Sequence, residues 1–279
     1  MTGALFRVRL SDGSARWAAG DAGPERLLTQ GASLERLLGE GADLAAAIEA
    51  AGGPVPPDAR VIAPIRSQEV WAAGVTYLRS REARGEEALD RSPYDLVYDA
   101  DRPELFFKSP GWRVVGPGEP IGIRADSTWD VPEPELVLVL DAGLRVVAYA
   151  IGDDVSSRSL EGENPLYLPQ AKTYERSCAI GPALVPANHV SPPFAIRLAV
   201  ERDGRTAFAG ETSTAEMKRS FEDLAEHLGR ALTFPDGVFL FTGTGIVPDA
   251  SFTLHPDDVV RVEIDGLGVL ENPVVRVGR

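Results

Sequence analysis

Three separate segments of this chain read as two strand-length runs joined by a tight turn, and together they restrict the fold more than anything else in it. Glu135–Leu140 (ELVLVL) meets Asp141-Ala142-Gly143 and returns as Arg145–Ile151 (RVVAYAI). Phe194–Glu201 turns at Asp203-Gly204 into Arg205–Ala209, and Val259–Ile264 turns at Asp265-Gly266 into Leu267–Leu270. Apolar, β-branched runs punctuated by Asp and Gly favour antiparallel hairpins, because a short turn needs residues that tolerate positive φ. One helix interrupts them. Ser213 and Glu216 have the spacing of a capping box, and Met217, Phe221, Leu224 and Leu228 follow at steps of four, three and four, which predicts a helix over 213–229. The expectation is a β-rich α+β fold.

The first sixty residues follow a different pattern. Phe6-Arg7-Val8-Arg9-Leu10 alternates as a strand does, and Asp12-Gly13 is a hairpin signal. Leu34, Leu37, Leu38, Leu44 and Ile48 recur near helical spacing, with Gly39 and Gly41 expected to split the helix. The stretch 52–57 (GGPVPP) cannot continue a helix. The expected organisation is a small N-terminal α/β domain over 1–62 and a catalytic domain over 63–279. A chain of 279 residues, 44% of them apolar, can bury a large core without staples. Trp71, Trp112 and Trp129 are expected in that core or in a pocket wall.

Charge narrows the partners. Lys and Arg number 28 against 42 Asp and Glu, a formal net charge of −14. That argues against nucleic acid and anionic membrane, which both need a surplus of cations. It leaves room for an anionic small molecule if a metal ion reverses the local field. Cys178 is the only cysteine, so an intrachain disulfide, a CxxC pair and a cysteine zinc cluster are all excluded. The opening MTGALFRVRL lacks the basic-then-apolar pattern of a secretion signal, and the apolar runs are strand-sized, so the expected location is the cytoplasm.

Several chemistries can be set aside. The chain has no GxxxxGK[ST], no HExxH and no GxSxG, and Gly243-Thr244-Gly245 and Gly266-Leu267-Gly268 lack the third glycine of a dinucleotide motif. His189, His227 and His255 are the only histidines and lie far apart in sequence. What remains is acidic. Pro132-Glu133-Pro134-Glu135 opens a strand, and residues two apart in extended backbone project to the same face. The hairpin returns through Gly152-Asp153-Asp154, which brings Asp154 beside Glu133 and Glu135. Three carboxylates suit Mg²⁺, Mn²⁺ or Ca²⁺ rather than zinc; the alternatives are a solvated strand entry and a turn Asp. Lys172 can act there on an oxyanion or as a base, or be a surface lysine. The strand-end loops holding Lys108 and Ser109, and Thr244, can bind a carboxylate or be simple turns.

Taken together these segments resemble the fumarylacetoacetate hydrolase family, from about Val70 to the C-terminus. Leu105–Pro110 (LFFKSP), Glu133-Pro134-Glu135, Gly152–Arg158 (GDDVSSR) and Gly237–Gly245 (GVFLFTGTG) are similar to four of its motifs, in order, with Asp153 where Asn is usual and Gly245 where Pro is usual. The resemblance implies that family's β-roll, a smaller N-terminal domain, a homodimer or higher homo-oligomer, and Glu133, Glu135 and Asp154 as metal ligands. Hydrolytic members carry a lid histidine, but this chain has none before His189. Val75–Ser80 (VTYLRS) and Asn164–Lys172 (NPLYLPQAK) resemble instead the branch that dehydrates 2-keto-3-deoxy pentonates. The implied activity is Mg²⁺-dependent loss of water from such a 2-oxo acid in sugar catabolism, giving 2,5-dioxopentanoate. The acid and base of that reaction are assigned to Lys172 and Glu104, with Glu82 and Glu163 as alternatives to Glu104. Lys108, Ser109, Gln170 and Thr244 are the candidates for holding substrate. Hydrolysis or decarboxylation of acylpyruvate-like acids at the same metal, and a catalytically silent binding or scaffold protein, are the rival readings.

Overall fold

The computed structural model of the protein describes residues 3–39, 43–78 and 93–279. In chain order its strands begin with β1 (Ala4–Arg9), β2 (Ala15–Gly20), β3 (Arg26–Leu27), β4 (Arg60–Ile62), β5 (Glu69–Gly74) and β6 (Glu104–Pro110). They continue with β7 (Ile121–Arg124), β8 (Asp130–Val131), β9 (Pro134–Leu140), β10 (Val146–Asp154), β11 (Ser156–Ser157) and β12 (Cys178–Pro186). The last are β13 (Ala195–Arg202), β14 (Arg205–Ser213), β15 (Val238–Phe241), β16 (Val259–Ile264) and β17 (Gly268–Val277). The described helices are short: α1 (Leu34–Leu37), α2 (Leu44–Glu49), α3 (Pro93–Asp99), α4 (Arg158–Glu163), α5 (Leu168–Lys172) and α6 (Phe221–Gly229).

One large sheet runs in the order β3-β2-β1-β12-β10-β9-β15-β5-β6, with β4 paired to β1; a second runs β14-β13-β16-β17-β7. The three hairpins read from sequence are β9–β10, β13–β14 and β16–β17, all antiparallel. Their inner faces pack into one apolar cluster that joins Leu136, Leu138 and Leu140 to Ile196, Leu198, Val260 and Val262. Fully burying one such side chain contributes about 1.5–3 kcal/mol. The fold is the β-rich α+β arrangement that the alternating runs require.

The N-terminal hairpin is also present, Ala4–Arg9 against Ala15–Gly20. α1 and α2 are separate; Gly39 follows the first, and Gly41 lies outside the described residues. The expected boundary at residue 62 coincides with the end of β4, but the sheet continues through it. β1 pairs with β12, Leu5 opposite Leu184. Leu34 and Leu38 share an apolar cluster with Val137, Val139, Phe239 and Phe241 on the far side of that boundary.

One local expectation needs correction. The helix expected over 213–229 begins at Ser220, whose hydroxyl accepts the Asp223 N–H at 3.1 Å. Ser213 caps only a single 3-10 turn, Thr214–Glu216, and Glu216 accepts from the Thr212 hydroxyl instead of closing a capping box. Tertiary contacts override the pattern there: Met217 bridges to Tyr77, and the Lys218 N–H donates to the Thr76 carbonyl at 2.9 Å. Leu224 and Leu228 still face the core. Of the two places expected for Trp112 it takes the pocket wall, lining a cleft while 73% exposed on the turn after β6.

Asp130 on β8 carries a stability cost. Its Oδ1 is buried without a hydrogen-bond partner. Burial pushes its carboxyl up to about 6, despite the Ser127 hydroxyl nearby. A raised folded pKa means that folding favours the neutral acid. The contribution is intact below the unfolded value near 4 and is lost as pH rises through about 6. Asp130→Asn should therefore raise stability by about 1–3 kcal/mol above pH 6 and change little at pH 4. Urea unfolding at the two pH values measures this; an equal effect at both would rule out the ionisation as its source.

Candidate active site and metal centre

Glu133-Pro134-Glu135 leads into β9 in extended backbone, so the two glutamates project together. β10 returns with Gly152 opposite Glu135 and Asp153 opposite Pro134. That register sets Asp154 beside Glu133, and the Asp154 N–H donates to the Glu133 carbonyl at 2.9 Å. Ligand oxygens of Glu133, Glu135 and Asp154 lie within 4.8 Å of one another, and none of the three residues is more than 3% exposed. Burial, then the like charges of Asp154 and Glu133, hold Glu135 well above the usual carboxylate range. Lys172 and the Gly243 N–H, which donates to Glu135 Oε2 at 2.5 Å, pull the other way. Gly243 takes φ +88°, and a side chain there would strike the Thr76 hydroxyl, so this close approach needs glycine.

Cations face the carboxylates. Lys172 ends α5 and is 1% exposed. Its Nζ donates to Glu133 Oε2 at 2.7 Å, Asp154 Oδ2 at 3.2 Å and Ser156 Oγ at 2.5 Å. Lys108 reaches the cluster because β6 bulges: the register steps from Val70–Ser109 to Trp71–Phe107 and leaves Lys108 as the extra residue. Its Nζ meets Asp154 Oδ1 at 2.5 Å and the carbonyls of Val155 and Lys172. Arg158, at the start of α4, places Nη2 3.2 Å from Glu133 Oε1 and Nη1 3.8 Å from Glu161 Oε2. An all-oxygen set of buried carboxylates is the donor chemistry of a hard divalent cation, and their convergence fits one Mg²⁺.

Ala73, Gly74, Val75, Phe106 and Thr244 line the cavity over this cluster. Val75 sits at φ +52°, a conformation that costs a β-branched residue about 1–3 kcal/mol and is found mainly at functional sites. The next residue anchors it, with Thr76 Oγ1 donating to the Thr242 carbonyl at 2.6 Å. Glu104 pairs with Gly74 across β5 and β6, and its carboxylate lies over the Gly74 Cα so closely that a Cβ would fall 1.9 Å from Oε2. Gly74→Ala should leave the chain folded, because the far end of Glu104 can swing aside, but it should displace that carboxylate. If Glu104 handles a proton, kcat falls about tenfold or more with little change in melting temperature. Unchanged kcat would detach Glu104 from the chemistry.

The structure does not bring every sequence candidate here. Gln170 is exposed, and its carbonyl accepts from Arg124. The Ser109 hydroxyl turns to the Pro110 carbonyl. The three donors of Lys108 are taken by Asp154, Val155 and Lys172, which leaves none for a substrate. Glu163 is exposed at the end of α4, and Glu82 lies outside the described residues. Sequence reasoning gave no role to Arg158, Ser156 or Glu161, although Ser156 and Arg158 stand two and four residues after Asp154. Asp153 accepts the Glu133 N–H at 2.9 Å. Burial, with smaller pushes from Asp154 and Glu133, raises its pKa to about 7, against the Glu133 N–H that lowers it.

Comparison with known proteins agrees with this geometry. The fumarylacetoacetate (FAA) hydrolase C-terminal profile matches residues 69–275. A Haloferax volcanii protein described as a probable 2-keto-3-deoxyxylonate dehydratase is 48% identical over 222 residues, covering 79% of this chain and 76% of its own. The 2-dehydro-3-deoxy-D-arabinonate dehydratase of Saccharolobus solfataricus is 44% identical, covering 78% and 75%. A solved 2-keto-3-deoxy-D-arabinonate dehydratase complexed with magnesium and 2,5-dioxopentanoate superposes with a TM-score of 0.87 at 36% identity, over 99% of both chains. The order of strands, the carboxylate cluster and these matches place the chain in the fumarylacetoacetate hydrolase family.

Proposed function

We propose that the protein is a Mg²⁺-dependent dehydratase of a 2-keto-3-deoxy sugar acid, such as 2-dehydro-3-deoxy-D-arabinonate, yielding 2,5-dioxopentanoate and water. The observation that carries this is the buried Lys172 ammonium, bonded to two of three convergent carboxylates. Relatives at 44–48% identity are named as dehydratases of such acids, and the solved structure at TM-score 0.87 holds magnesium with the dioxo acid. Mn²⁺ or Ca²⁺ suits the same oxygens. A homo-oligomer and a cytoplasmic location belong to the same proposal; no described helix is long and apolar enough to cross a membrane.

Glu133, Glu135 and Asp154 would hold the cation, which supplies Lewis-acid polarisation of the substrate's carboxylate and 2-oxo oxygens. The rest falls to the chain. Elimination needs a proton taken from C3 and the C4 hydroxyl released as water. A proton passing from C5 to C3 then leaves a C4–C5 enol, and this becomes the C5 aldehyde when its hydroxyl proton is lost and C4 is protonated. Lys172 lines the cavity and Glu104, from another element, lies over Gly74 in its wall, which suits them to take and return these protons. Arg158 balances Glu133 from behind, so the ammonium of Lys172 is not its sole counter-charge. Phe106, whose ring lies 5.7 Å from Lys172 Nζ, gives an apolar wall that keeps water from the amine.

Acylpyruvate cleavage at the same metal needs a base to activate water. No histidine lines the cavity among the described residues: His189 bonds the Gly3 carbonyl and His227 the Asp223 carbonyl. With Mg²⁺ and a panel of 2-keto-3-deoxy pentonates and acylpyruvates, the expected result is aldehyde formation from the former and little pyruvate from the latter. Faster acylpyruvate cleavage would transfer the assignment to the hydrolases.

A further inference from the structure

A second concave site lies away from the carboxylates. It is a cleft of about 440 Å³ that shares no lining residue with the cavity over Glu133, Glu135 and Asp154. Five arginines line it: Arg7, Arg9, Arg66, Arg113 and Arg176. They come from four places in the chain. Arg7 and Arg9 share the outer face of β1, opposite the buried Phe6 and Val8. Arg66 stands before β5, Arg113 in the turn after β6, and Arg176 between α5 and β12.

Although the chain carries a net charge of −14, among the described residues these cations bond mainly to backbone carbonyls. Arg7 donates to the Ala63 and Ile65 carbonyls, Arg9 to the Gly13 carbonyl and Arg176 to the Pro120 carbonyl. Among the described residues, Arg66 is the one of the five that reaches a carboxylate, Glu35, at 4.0 Å. Glu119 and Glu175 also border the cleft. The Glu119 carboxylate accepts the Gly116 N–H at 2.7 Å, and Glu175 forms no ion pair with these arginines among the described residues. Burial first, then the like charges of Arg66 and Arg9, lower the Arg7 pKa, while Glu35 opposes them. Trp112 stands at the rim, 73% exposed, with Arg113 over its ring at 4.8 Å.

We propose that this cleft binds a phosphorylated small molecule, its phosphates held among the arginines and Trp112 offering a flat face to any ring it carries. Guanidinium groups match phosphate oxygens in paired, charge-assisted hydrogen bonds. An exposed indole stacks on heterocycles without demanding one sequence of donors.

The test uses the full chain, free of metal, titrated calorimetrically with inorganic pyrophosphate and separately with ADP at low salt. Saturable binding of either is expected. It should weaken at least about tenfold in Arg113→Ser and in Arg9→Ser, the scale of one lost charge-assisted hydrogen bond, and persist in Lys172→Met. Arg9 makes only a 3.4 Å bond to Gly13, so that variant keeps the test valid if Arg113→Ser unfolds. Loss of ADP affinity but not pyrophosphate affinity in Trp112→Ala would establish the stacking face; equal loss of neither would confine the site to the phosphates. No saturable binding at millimolar ligand, or binding lost in Lys172→Met and kept in the arginine variants, overturns the proposal. So does an Arg113→Glu variant that changes the mass of the particle in solution while pyrophosphate fails to bind, because the cleft is then an interface between copies.

Discussion

Glu135→Ala is expected to abolish Mg²⁺-dependent turnover in a chain that remains folded. The residue contributes a carboxylate to the cluster and accepts the Gly243 N–H, but it adds little apolar volume to the core. Its carboxyl is held well above the ordinary range by burial and by Asp154 and Glu133, so the metal-free protein gains by losing it. The melting temperature should stay level or rise, while kcat falls by at least about 10³-fold, the scale of several kcal/mol of transition-state charge stabilisation. Calorimetric Mg²⁺ titration should show binding weakened alongside. Turnover that survives both this substitution and thorough chelation would leave the reaction without a metal at these carboxylates.

Lys172→Met should lower kcat by at least about 10²-fold, the usual loss for an acid–base or oxyanion group. Methionine keeps most of the length and removes the ammonium. Because Lys172 is buried against Glu133 and Asp154, the substitution also strips those carboxylates of a counter-charge. Stability should therefore fall in the metal-free protein and recover when Mg²⁺ is added, a linkage that a surface lysine would not produce. If the lysine only anchors the substrate carboxylate, KM rises and kcat holds. Thermal melts with and without Mg²⁺, run beside steady-state kinetics, separate these outcomes.

Much of the scaffold was legible because hairpins are local. Strand-length runs and Asp-Gly turns fix β9–β10, β13–β14 and β16–β17 within short stretches of chain, and the same register makes Asp154 a neighbour of Glu133. What escaped depends on contacts between distant segments. Lys108 looked like a free donor in a loop, but a bulge against β5 turns it onto Asp154. The helix start moved from Ser213 to Ser220 because Met217 and Lys218 bond to the segment at 76–77. Arg158 and Glu161 drew no role, since nothing local shows that both would be buried behind Glu133. Gln170 sits beside Lys172 in sequence, yet the short helix carries the two side chains to opposite surroundings, one exposed and one buried.

The joining of β1 to β12 bears on how such a protein can be rearranged over evolutionary time. α1 and α2 roof the side of the large sheet formed by Val137, Val139, Phe239 and Phe241, and the Leu38 carbonyl accepts the Ala142 N–H in the turn of the β9–β10 hairpin. The same two strands carry Glu135 and Asp154 at their opposite ends. The leading sixty residues therefore share both their sheet and an apolar cluster with the strands that carry the site. Exchange of this segment between lineages would leave β12 with a raw edge unless the incoming piece brought its own strand and its own leucines in register. Substitutions on the solvent side of this segment should therefore cost little, while those at its inward leucines should loosen the hairpin that they brace.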